Sequence, residues 1–169
     1  EDSIEVPATL TYTGMGKILR QWWTGISGSD VSDLTSHADY PEYPDGRHLL
    51  ANLEGPFSGD DNYGSRIRGY LHPPTTGNYT FWIASDDSSE LWLSSDGTPE
   101  NASMIASVSG WTGIYEWDKF GSQQSGSVSL TAGQKYYIEV LHKEGGGEDN
   151  LAVAWSGPGI TQQVINGEY

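Results

Sequence analysis

An all-β fold, an antiparallel β-sandwich or flattened β-barrel, is the class this 169-residue sequence predicts, and three observations predict it. From residue 63 onward, apolar and polar residues alternate in short runs, the period-2 pattern of half-buried strands. Each run is bounded by Gly, Pro, Ser or Asn, the residues that turn a chain, and the sequence holds 22 Gly and 8 Pro. Ten Tyr and seven Trp supply bulky side chains that suit a pleated surface, while the absence of Cys removes disulfides and thiolate metal sites.

Residues 1–50 are the least regular part. "KILRQWW" reads as an extended apolar segment through Ile18, Leu19, Trp22 and Trp23. "SDVSDLTSH" reads as a short helical turn, with Ser29 or Asp30 as N-cap and Asp33 in its first turn. "YPEYPDGRHLL" reads as a Pro-punctuated loop, because proline removes ladder donors. "YGSRIRGYLHP" is a strand that Pro73 and Pro74 end, and "TTGNY" is turn chemistry. "NYTFWIAS" sets Tyr79, Phe81 and Ile83 against Thr80, Trp82 and Ala84, and "SELWLSS" sets Leu91 and Leu93 against Trp92. "MIASVSG", "SGSVSLTAG", "QKYYIEVLHK" and "NLAVAWSG" continue the series at a spacing that suits a sandwich. No internal repeat is present. Residues 1–169 are expected to form one domain excised from a longer polypeptide.

Charge narrows the function. The formal net charge is -15, so a polyanionic partner is repelled, which argues against nucleic acid and anionic membrane. No apolar run approaches the roughly 20 residues needed to span a bilayer. Cations are attracted. Two loops concentrate the relevant chemistry: "SDDSSE", with adjacent Asp86 and Asp87, and "HKEGGGEDN" at residues 142 to 150. Neighbouring carboxylates repel unless water or a cation lies between them, so Asp86–Asp87 is either a solvated hairpin turn or a cation site. Three consecutive glycines imply positive φ angles or a close approach to the backbone. Asp60 and Asp61 in "SGDDNYG" form a second acidic pair with nothing independent to support a metal.

"YLHPPTTGNYTFWIASDDSSELWLS" followed by "LTAGQKYYIEVLHKEGGGEDNLAVAW" resembles the PA-fourteen domain, the family of anthrax protective antigen, over roughly residues 10 to 160. The resemblance implies a β-sandwich module of secreted glycosidases, toxins and cell-surface adhesins. In lectin-active members a cis-linked Asp-Asp pair holds one calcium ion. Asp86–Asp87 matches that pair and "KEGGGED" matches the second calcium loop.

On this resemblance the expected metal is calcium, which takes six to eight oxygens from carboxylates, carbonyls and water. The expected ligands are Asp86 and Asp87, with Glu144, Gly146 and Asp149 from the second loop and Asn150 as a further candidate. The expected carbohydrate-binding residues are Asp86, Asp87, Glu148, Trp111 and Trp117; for the two tryptophans, core packing is the alternative. The expected function is calcium-dependent binding of mono- or oligosaccharide, on cell-surface or polysaccharide glycans, by chelation of vicinal hydroxyls. The rival from the same family is a structural spacer in which calcium only stiffens loops. Catalysis is not expected. The glycosidase reading needs an acid with a raised pKa, and His37, His48, His72 and His142 lack metalloprotease spacing. The expected setting is secreted or cell-surface, as a monomer when isolated.

Overall fold

The computed structural model describes residues 16–57 and 59–169; residues 1–15, which include the start of the expected domain, lie outside the described residues. Among the described residues ten strands form two open antiparallel sheets, a sandwich and not a closed barrel. Strand β1 (Ile18–Thr24) leads to helix α1 (Val31–Thr35), followed by β2 (Gly46–Leu50), β3 (Tyr63–Leu71), β4 (Gly77–Asp86) and β5 (Ser89–Ser94). Strands β6 (Ala102–Val108), β7 (Val128–Leu130), β8 (Tyr136–Glu144), β9 (Asn150–Gly157) and β10 (Ile160–Val164) complete it. The first sheet has six strands in the order β2-β1-β3-β8-β5-β6, and the second has four in the order β10-β9-β4-β7.

The alternation seen in sequence becomes the core. Tyr79, Phe81 and Ile83 of β4 face Leu91 and Leu93 of β5, Ile138 and Val140 of β8, and Val153 and Trp155 of β9, all buried in one cluster. Tyr79 stacks on Trp155 with ring centroids 5.0 Å apart. Each fully buried aromatic or aliphatic side chain of this kind stabilises the fold by roughly 1.5–3 kcal/mol.

Asp30, one of the two expected N-cap positions, caps α1, and its amide donates to the Asp33 carboxylate at 3.1 Å. The helix lies on the outside of the six-stranded sheet, where Leu34 joins Trp23, Ile26 and Tyr40 in a second small cluster. Gly64 permits this docking, because a Cβ there would meet Leu34 at 2.6 Å. Docking α1 brings residues 25–30 beside the end of β8.

Three expectations change. "GRHLL" is strand β2 and not loop, since Pro41 and Pro44 precede it and leave its donors intact. β10 has no counterpart in the sequence reading. The step from β4 to β5 is not a hairpin: β4 belongs to the four-stranded sheet and β5 to the six-stranded one, so Asp87 and Ser88 carry the chain between layers.

Candidate metal centre

Asp86 ends β4, Asp87 starts the crossing, and Glu144 ends β8. The peptide bond between the two aspartates is cis. One carboxylate oxygen from each of Asp86, Asp87 and Glu144 lies within 4.8 Å of the others. Alternation along β8 turns His142 and Glu144 inward and Lys143 outward. The three consecutive residues then do different things. His142 Nε2 donates to the Asp86 carbonyl at 2.8 Å and its ring meets Tyr63 edge-on. Burial holds the His142 ring at a pKa of about 4, so it is neutral, with its proton on Nε2 facing that carbonyl. Lys143 Nζ donates to the carbonyls of Gly28 at 2.6 Å and Glu144 at 2.7 Å.

Glu144 carries the informative anomaly. It is 1% exposed, and neither of its carboxylate oxygens has a hydrogen-bond partner. Burial, then the charges of Asp87, Asp86 and Asp149, pushes it up to about 7; the Asp87 amide tempers this without reaching hydrogen-bond geometry. Asp86 is pushed up to about 6 by burial and by the charge of Asp87. Asn150, opposite Asp86 in the β4–β9 ladder, donates through Nδ2 to the Thr112 carbonyl at 2.9 Å and leaves Oδ1 buried and unpaired. Unpaired buried acceptors are costly; Glu144 holds two, and Asn150, opposite Asp86 in the ladder, holds a third. An oxygen-seeking divalent cation fits this donor set.

The surrounding loops are braced by the chain itself. The Gly145 amide donates to Asp87 Oδ2 at 3.0 Å, and a Cβ on Gly145 would press on that oxygen and on the Gly28 carbonyl, both at 3.1 Å. Ser88 donates to the Ser29 carbonyl, and the Asn62 amide to the Gly145 carbonyl at 3.1 Å. Asp61 accepts from the Gly147 amide at 3.2 Å, which gives the second acidic pair a bracing role.

The other expected residues are placed as follows. Asp149 is buried beside the triad, but its two oxygens already accept from the Gly59 amide at 2.6 Å and the Tyr63 hydroxyl at 2.7 Å. Gly146 and Glu148 lie exposed on the Gly-rich loop, Gly146 against Asp61. Trp111 and Trp117 are outside the core, because their loop folds along the free edge of β4 instead of between the sheets. Thr112 pairs with Ser85 there, which sets Trp111 near Asp86. Trp111 is 56% exposed, and Lys119 Nζ stands 3.0 Å from its ring centroid. Trp117 stacks on Tyr115 further along and does not join the triad. His142 and Lys143 fall within the stretch 142 to 150 that stands out in sequence, but neither is among the expected site residues, and both lie in β8.

The PA14 domain family matches residues 51–168. The chain belongs to the PA14 domain family. This PA14 domain is 37% identical over 149 residues to mouse N-acetyl-beta-glucosaminyl-glycoprotein 4-beta-N-acetylgalactosaminyltransferase 1, an alignment covering 84% of the chain and 14% of that relative. It is 36% identical over 136 residues to mouse fibrocystin-L, covering 79% of the chain and 3% of the relative. The domain thus spans a small part of these relatives. Among solved structures, the PA14 sugar-binding domain from an RTX adhesin aligns with a TM-score of 0.68 at 16% identity, covering 92% of this chain and 97% of that one. The epithelial adhesin 6 A domain from Candida glabrata, in complex with Galb1-3GlcNAc, aligns with a TM-score of 0.62 at 12% identity, covering 95% and 88%. At such identities the likeness is one of fold.

Proposed function

We propose that this PA14 domain binds carbohydrate through a calcium ion seated at Asp86, Asp87 and Glu144. The observation that carries the reading is Glu144: a buried carboxylate with two unpartnered oxygens, facing two further carboxylates. Asn150 Oδ1 is the natural fourth donor, and Asp149 acts from behind by holding Tyr63 and Gly59 in place. A bound calcium ion with open coordination positions accepts vicinal sugar hydroxyls as hard oxygen ligands. Trp111, topped by Lys119, offers an aromatic flank on the loop that pairs with Ser85, and Glu148 an exposed acceptor on the Gly-rich loop. Support for a glycan ligand comes from the folds alone: one structural neighbour is a sugar-binding domain and another holds Galb1-3GlcNAc.

We read the domain as a binding module. One carboxylate oxygen from each of Asp86, Asp87 and Glu144 lies within 4.8 Å of the others, which suits a shared cation better than the roughly 5–9.5 Å separation of a glycosidase's two carboxyl groups. A spacer role, with calcium only as a stiffener, is less favoured because the chain's own hydrogen bonds already brace the loops at Gly28, Ser29, Asn62 and Gly145. The same reading makes residues 1–169 one module of a longer secreted or cell-surface protein. A single sugar contact of this size is worth on the order of 1 mM, about -4 kcal/mol, and several copies together raise it. Calorimetric titration with galactose-, mannose- and glucose-type glycans, with and without EDTA, tests the proposal. Binding heat that vanishes with the chelator is expected; calcium binding with no response to any glycan would return the domain to the spacer reading.

A further inference from the structure

On the outer face of the four-stranded sheet lies a second concavity that shares no residue with the acidic triad. It encloses about 480 Å³, and Trp82, Tyr115, Trp117 and Phe120 supply its aromatic surfaces. Gln124 and Gln162, both exposed, add planar amides, and the acidic residues Glu116 and Asp118 also line it. Trp82 lies on the same face of β4 as Asp86 but four residues away, about 13 Å at the usual rise of 3.2–3.4 Å per residue. Between the two the loop arches over the sheet. The Tyr115 hydroxyl bonds Glu54, which bridges to Ala152, and Ala152 pairs with Ala84; both alanines are fully covered. The concavity is therefore walled off from the triad by protein.

We propose that this groove is a second, cation-independent sugar site that takes an uncharged pyranose residue of an oligosaccharide. A pyranose has an apolar C–H face and a rim of hydroxyls that both donate and accept. Trp82 and Trp117, both half-buried and lining the groove, supply π surface for the first. Glutamine amides, which carry donors and acceptors together, match the second, and carboxylates accept further hydroxyl protons. The charge of Glu116 and Asp118 excludes sialic and uronic acids. Aromatics with carboxylates also suit an organic cation, but an ammonium group has no acceptor for the glutamine NH₂ donors, so the amides decide for sugar.

The test follows the indole N–H signals of the 169-residue chain by NMR in EDTA, during titration with chitotriose, cellotriose and lactose. Perturbation of the Trp82 and Trp117 indoles by at least one of them is expected, with affinity on the order of 1 mM. Trp117→Ala is expected to weaken it about tenfold or more, and Gln124→Ala with Gln162→Ala severalfold, each with the near-ultraviolet dichroism of the folded protein. Indoles silent to all three sugars overturn the proposal. So does unchanged binding in Trp117→Ala, or a response to tetramethylammonium in place of the sugars. Calcium titration of parallel samples without EDTA is read separately, so failure of either site leaves the result at the other standing.

Discussion

Acidification provides the sharpest measurement of the acidic corner. In the cation-free protein Glu144 titrates at about 7 and Asp86 at about 6, both raised mainly by burial and by neighbouring carboxylates. Protons and a divalent cation compete for the same oxygens, so cation affinity must fall as pH falls. With those values, the fraction of protein having both groups ionised drops from about three-quarters at pH 7.5 to about one in a thousand at pH 5.0. Calcium affinity is therefore expected to fall by roughly two to three orders of magnitude over that range. Ordinary carboxylates near pKa 4 would lose less than about twofold, and that contrast makes the experiment decisive. The groups titrate as a set, so the values describe the corner and not either residue alone. Calorimetry at pH 6.5 in buffers of different ionisation enthalpy should also detect about one proton released per calcium ion bound. Affinity that stays flat from pH 7.5 to 5.0, with no proton release, would refute the assignment of these carboxylates as the cation's seat.

Other perturbations separate site from scaffold. Asp87→Asn is expected to abolish calcium-dependent sugar binding in calorimetry, while circular dichroism reports an intact sandwich, because the core cluster lies elsewhere. Lys143→Met strips the donor from the Gly28 and Glu144 carbonyls and should cost about 2 kcal/mol in denaturant unfolding, chiefly from leaving the buried Glu144 carbonyl without that partner. Leu91→Ala, at a fully buried core position, should cost about 2–5 kcal/mol by the same assay and leave calcium affinity per folded molecule unchanged.

How much of this fold could be read from sequence depended on how many neighbours a strand has. β4 and β8 sit inside their sheets with one face on the core, so Tyr79, Phe81 and Ile83, or Tyr136, Ile138 and Val140, alternate cleanly. β2 and β10 are edge strands, each with a single partner. Their sequences, "GRHLL" and "ITQQV", are half exposed and carry little alternation. Strand partnership was less legible still. The stretch from Tyr79 to Ser94 looks like a hairpin because a short turn joins two β-forming runs, yet β4 pairs with β9 and β7, while β5 pairs with β8 and β6. Turn length reports where a strand ends and not which layer the next one enters.

Local chemistry marked one half of the candidate site and long-range packing built the other. Asp86, Asp87 and the Gly-rich loop stand out because adjacent like charges and consecutive glycines are locally unfavourable. Asp149 looked equivalent to Glu144, since both are acids flanking the glycines. What separates them is Tyr63, 86 residues away in sequence, whose hydroxyl occupies Asp149 and leaves Glu144 unpaired. Likewise, nothing local distinguishes Lys143 from a solvated lysine; it is buried because residues 25–30 come to rest over the outer face of β8, which required Leu34 to dock against Gly64. The strand end His142-Lys143-Glu144 thus converts simple alternation into division of labour. The inward histidine fixes the Asp86 carbonyl, the outward lysine ties down the neighbouring loop, and the inward glutamate is left with two unpartnered oxygens beside Asp86 and Asp87.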